Sequence, residues 1–129
     1  MPAIAALTIN DGAATPVAHT FSPVTTDGSS AAWADRSPSI ASGFRTISHE
    51  VVGPNGNRTV NRITAGFKVP VVATINTVDT VVRYSSAQII WNIHPDSTLQ
   101  ERKDLHAYVT NYCGNASVKL SIENVEPFY

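Results

Sequence analysis

The feature that most restricts this chain is the stretch from Arg62 to Val69, where polar and apolar residue types alternate. Arg62, Thr64, Gly66 and Lys68 fall on one side; Ile63, Ala65, Phe67 and Val69 fall on the other. An extended strand, whose successive side chains point to opposite faces, sorts the residues in this way. Such a strand belongs to an antiparallel sheet packed on one side and wet on the other. Val81 to Ile93 repeats the pattern, with Tyr84, Ser86 and Gln88 opposed to Arg83, Ser85, Ala87 and Ile89.

Turn chemistry divides the rest. Phe44 to Val52 leads into Gly53-Pro54-Asn55-Gly56-Asn57, and Arg58 to Val69 leads out, so Asn55-Gly56 is expected to take the left-handed turn positions. Ala3 to Ile9 precedes Asp11-Gly12, which predicts a tight type I′ hairpin returning through Val17 to Phe21 and stopping at Pro23. Thr25 to Ser30 reads as a loop, Ala31 to Ala34 as a short strand carrying Trp33, and Ala73 to Thr80 as another loop. Pro70 lacks the amide a ladder needs, so it is expected at an edge or a strand end. Beyond Pro95, Thr98-Leu99-Gln100-Glu101 fits a capping box, and Leu99, Arg102, Leu105, Val109 and Tyr112 recur at helical spacing before Gly114. Val118, Leu120 and Ile122 alternate like a strand, while Val118, Ile122 and Val125 suit a helix capped by Asn115.

The chemistry is largely one of exclusions. The histidines at 19, 49, 94 and 106 form no His-x-x-x-His pair, and no phosphate-binding glycine loop or nucleophile elbow occurs. With no acid–base pair to identify, no enzyme activity is expected, and no catalytic residue, metal or cofactor is assigned. Cys113 is the one cysteine of the chain and reads as a small buried hydrophobe. No apolar run approaches the ~20 residues of a membrane helix, and Met1-Pro2-Ala3-Ile4 does not open a secretory signal, so no membrane partner is expected. Charged residues make up 15% of the 129, below the usual quarter, which leaves neutral surface available for burial between subunits.

What remains is the polar sheet face. Arg62 and Lys68 would meet phosphates, the Tyr84 ring an unstacked base, and Thr64, Ser86 or Gln88 the base edges. A sheet with one wet face would also carry such residues for solubility alone.

The order of these elements resembles the coat proteins of single-stranded RNA bacteriophages, the levivirus group. The similarity rests on Phe21-Ser22-Pro23, Ala31-Ala32-Trp33, Asn61 to Thr64 running on through Phe67 to Ala73, Arg83-Tyr84-Ser85-Ser86, Glu101 to Leu105, and Glu123 to Tyr129. It implies an α+β fold: an N-terminal hairpin (1–23), a five-stranded antiparallel sheet (31–93) and C-terminal helices (98–129) in a single domain, 1–129. It also implies an intertwined homodimer that tiles an icosahedral shell, as part of a virion assembled in the bacterial host cytoplasm. The helix with Leu99, Leu105 and Val109 would then be mainly interface.

The inner sheet face of such a protein would bind a hairpin of the viral RNA, repressing translation and marking the genome for packaging. Tyr84, Ser86, Gln88 and Thr64 match positions of that face. Gly66 stands where relatives often carry lysine, which removes a phosphate contact. On the preceding strand, Thr46 and Ser48 resemble a family Thr-x-Ser, whereas Arg45 and His49 would suit phosphate better; a one-residue slip exchanges the two sets. The segment 73–80 corresponds to the loop around the shell's openings, with no cysteine there to cross-link it. A free-standing cytoplasmic RNA-binding regulator that never assembles is the alternative.

Overall fold

A computed structural model describes all residues, 1 to 129. Six strands form one antiparallel sheet in sequence order: β1 (Leu7–Asn10), β2 (Ala18–Thr26), β3 (Ser30–Asp35), β4 (Arg45–Val52), β5 (Asn61–Ile75) and β6 (Val78–Ile93). The hairpin strands thus join the sheet that was expected to have five. Two helices follow, α1 (Leu99–Gly114) and α2 (Ala116–Asn124). The chain divides into two compact units, Met1–Asn92 and Ile93–Tyr129. No helix is long and apolar enough to cross a membrane.

In the first unit the strand pairing lines up one apolar row across four strands. Pro23 pairs with Trp33, Trp33 with Ile47, and Ile47 with Phe67. The Trp33 indole donates to the Ala5 carbonyl at 2.8 Å, which ties the N-terminal segment to this row. Beside it lies a charged group that no sequence pattern announced. Asp35 is buried and accepts from Arg45 Nη1 at 2.7 Å and from the Ser37 amide at 3.0 Å, with His19 Nδ1 at 3.4 Å. Burial pushes its carboxyl up, but the bonds from Ser37 and Arg45 outweigh it and hold the group below the usual carboxylate range.

The turns differ from expectation where side chains take over the backbone's work. Asp11-Gly12 does not form a two-residue turn, and Gly12 keeps a negative φ. Asp11 instead anchors a longer loop: its carboxylate accepts from the Ala13 and Val17 amides and meets His19 Nε2 at 3.1 Å. The Val17 amide, then His19 and the Ala13 amide, lower its pKa to about 2. β2 passes through Pro23 to Thr26 because a register shift between Pro23 and Thr25 absorbs the missing amide. The loop expected over Thr25 to Ser30 shrinks to Asp27-Gly28-Ser29, with Gly28 at φ 88°. At the second hairpin Gly56 alone takes a left-handed conformation; Asn55 bridges Arg58 instead.

The largest correction concerns residues 73–80. They are strand rather than loop, since β5 and β6 meet at Asn76-Thr77, both at positive φ (49° and 65°). Thr74 and Ser39 both donate to Asp79, and these bonds hold its carboxyl below the usual range. Pro70 is buried within β5 but lies past the end of the β4 ladder, whose last pair is Thr46 with Lys68, so on that side the amide it lacks has no strand to bond.

In the second unit, Thr98 caps α1 as expected: its hydroxyl accepts from the Glu101 amide at 3.2 Å while Glu101 accepts from the Thr98 amide at 2.5 Å. Asn115 ends α1 and starts α2, accepting from the amides of Ser117 and Val118. This settles the tail as helical; it stops at Val125, which is left-handed at φ 57°. α1 has no buried residue. Cys113 is accordingly exposed rather than buried.

The Asp35 site yields a prediction with a defined sign. A carboxyl held below its unfolded value of about 3.9 stabilises the fold fully above that pH, and the contribution is lost as pH falls through the folded value. Asp35→Asn should cost about 1–3 kcal/mol at neutral pH by leaving Arg45 unpaired. The difference from wild type should shrink below about pH 4, read from urea midpoints by circular dichroism.

Candidate nucleic-acid interface

The pairing of β4 with β5 decides which residues share the polar face. Thr46 lies opposite Lys68, Ser48 opposite Gly66, Glu50 opposite Thr64, and Val52 opposite Arg62. Thr46 and Ser48 therefore join the Arg62, Thr64 and Lys68 set, and Arg45 and His49 point to the other face, where Arg45 serves Asp35. β6 adds Tyr84, Ser86 and Gln88. The Lys68 ammonium lies 4.8 Å from the Tyr84 ring centre, which places both on this face.

A shallow groove of about 310 Å³ runs across the three strands, lined by Thr46, Ser48, Gly66, Lys68, Ser86 and Gln88 among others. Its floor is low because Gly66 has no side chain. A Cβ there would stand 2.7 Å from Ser48 Oγ. Hydroxyls and one amide line the groove, and Lys68 supplies the cation at its lip. This is a surface for hydrogen-bonding flat polar groups, with an aromatic plane beside it.

The eight expected residues are not equal. Thr46, Ser48, Lys68, Tyr84, Ser86 and Gln88 are exposed, and Tyr84 shows 63% of its surface. Arg62 and Thr64 are half-buried, and Arg62 Nε is buried with no partner. Glu50, exposed on the same face, is the residue the sequence reading missed. It offsets one of the two cations, so the face carries little net charge. Its alternation with Ser48 and Thr46 was legible, but only the register shows which face that set meets. No group of three or more His, Cys, Asp or Glu side chains converges on a metal-sized site.

The family model for the levivirus coat protein matches residues 2–129. The chain belongs to the levivirus coat protein family. It is accordingly a structural protein of a phage capsid and not an enzyme. Among solved structures, the virus-like particle of Beihai levi-like virus 21 is 27% identical over 99% of each chain, with a TM-score of 0.89. The virus-like particle of bacteriophage ESE058 is 26% identical over 99% of this chain and 100% of that one, with a TM-score of 0.86. The capsid protein of bacteriophage GA, at 17% identity over 97% of each chain and a TM-score of 0.76, shares the fold. No curated protein sequence matches.

Within this coat protein, Gly66 and Ser48 form a testable pair. The only obstacle to a side chain at 66 is the end of a serine that can rotate, so Gly66→Ala should change thermal stability by less than about 1 kcal/mol. Combined with Ser48→Ala it should show a favourable coupling of about 0.5–1 kcal/mol in a double-mutant cycle. Additive effects would mean that the two side chains do not compete for the space.

Proposed function

We propose that this coat protein dimerises through the free edge of β6, closes with other dimers into an icosahedral shell around single-stranded RNA, and reads an RNA hairpin with its polar sheet face. The observation that carries the first part is a surface that does not fit a monomer. The chain exposes 9558 Å². A folded protein of its mass, 13.8 kDa, should expose about 6,600 Å². Treating its two units as separate globules raises that only to about 7,800 Å².

The excess has an address. β6 ends the sheet, so one side of its sixteen residues of backbone lacks a partner. Its residues from Val82 to Gln88 are all exposed, on both faces of the strand. Leu99, Tyr108 and Tyr112 of α1, and Leu120 and Ile122 of α2, are each more than half exposed. A long unpaired edge and bare apolar helices invite association, and a second copy answers both needs at once. Obligate interfaces of roughly 2,000–5,000 Å² are the size required.

Two measurements test this reading. Analytical ultracentrifugation at micromolar concentration should show dimers or particles and no folded monomer, and electron microscopy should show closed shells. A compact, soluble monomer would overturn the assembly reading and favour the free-standing regulator. For the RNA part, Tyr84→Ala should weaken binding of a stem-loop selected from a randomised-loop library by about five- to a hundredfold, with particle yield unchanged. Unchanged affinity would remove Tyr84 from the site.

A further inference from the structure

The ring that would receive a base is exposed but already carries a cation. Lys68 holds its ammonium 4.8 Å from the centre of the Tyr84 ring, within cation–π range. The cause is local. Across the ladder Lys68 faces Thr46, and the next residue on its own side is Gly66, so neither neighbour offers a carboxylate. Glu50, the acid of this face, sits opposite Thr64, four positions back along β5. None of the ion pairs in the chain uses Lys68. With no ion-pair partner, the ammonium lies over the nearest electron-rich surface.

We propose that Lys68 is an exchanging positioning residue: it lies on Tyr84 in the RNA-free protein and moves onto a phosphate when a base takes its place on the ring. This rests on the reading of the sheet face as the RNA site and names how that site is regulated. The two roles of Lys68 oppose each other. Contact with a phosphate favours binding and weakens as salt rises. Competition for the ring disfavours binding, and a short-range contact with an aromatic face is screened far less than a long-range one. Lys68 is therefore a lysine that helps RNA binding at low salt and hinders it at high salt.

The experiment measures Kd for a stem-loop selected on the wild-type protein, between 50 and 500 mM salt, with wild type, Lys68→Ala and Lys68→Arg. For Lys68→Ala the salt slope should fall by about 0.7–0.9, the loss of one phosphate contact. It should bind more weakly than wild type at the low end. At the high end it should bind about two- to fivefold tighter, the equivalent of an exposed cation–π contact no longer displaced. The two plots should cross. Lys68→Arg should keep the wild-type slope.

Solid-state NMR of lysine-labelled particles gives a readout independent of affinity. The Lys68 Hε protons should be shifted upfield by the ring in RNA-free particles and should lose that shift when the stem-loop binds. Parallel salt plots with Lys68→Ala weaker throughout, or an upfield shift that persists in the complex, would show that the base stacks elsewhere and overturn the exchange. In that case a loss of affinity in Tyr84→Ala would leave the RNA reading standing. Should the wild-type protein select no stem-loop at all, the RNA reading and the exchange fall together.

Discussion

The unpaired edge of β6 is the constraint on which the rest of this structure depends. Every second residue of that strand presents its amide and carbonyl outward, and a backbone group cut off from both water and protein is costly. An edge this long persists in solution only if it is blunted or paired. β6 carries no proline and, between Val82 and Gln88, a single charge at Arg83. From Val82 to Gln88 the strand is exposed on both faces, whereas Ile89 and Trp91 further on are half-buried.

The sparse core follows from the same arrangement. In the first unit the buried apolar side chains are few, Phe21, Ala34, Ile47, Ala65 and Pro70, although 43% of the chain is hydrophobic. The missing burial is not disorder, since the strands are regular and the helices are capped at their N-termini. On the proposed assembly it is burial deferred to contacts between copies. The internal stability that does exist relies on the row from Pro23 to Phe67 and on the Asp35 group beside it. A buried carboxylate with three polar neighbours specifies one arrangement of β2, β3 and β4 more sharply than apolar packing alone, at a cost in desolvation.

The polar face carries little net charge. Glu50 offsets one cation, Arg62 is half-buried, and the groove between the strands is lined by hydroxyls and an amide. Such a face has little general attraction for phosphate. On the proposed RNA reading, selectivity would come from the fit of polar edges and an aromatic plane, with Lys68 as the accessible cation.

Much of this was legible in the residues. The alternation in Arg62 to Val69 placed β5, the capping box at Thr98 started α1 at the right residue, and Asn115 was one of two readings of the tail. Those signals are local: a turn, a cap or a period depends on residues a few positions apart. The errors were of the opposite kind. Asp11-Gly12 promised a tight turn, but the Asp11 carboxylate found Val17 and His19 six and eight residues on. Residues 73–80 looked featureless because a hairpin turn at Asn76-Thr77 uses no glycine. By itself the sequence determined the alternation of β5 and β6 and the start of α1. The tertiary structure alone decided that Thr46 and Ser48, not Arg45 and His49, share a face with Lys68, and that Lys68 rests on Tyr84. Pairing register is set by turns and slips summed along two strands, and a shift of one residue anywhere exchanges the faces.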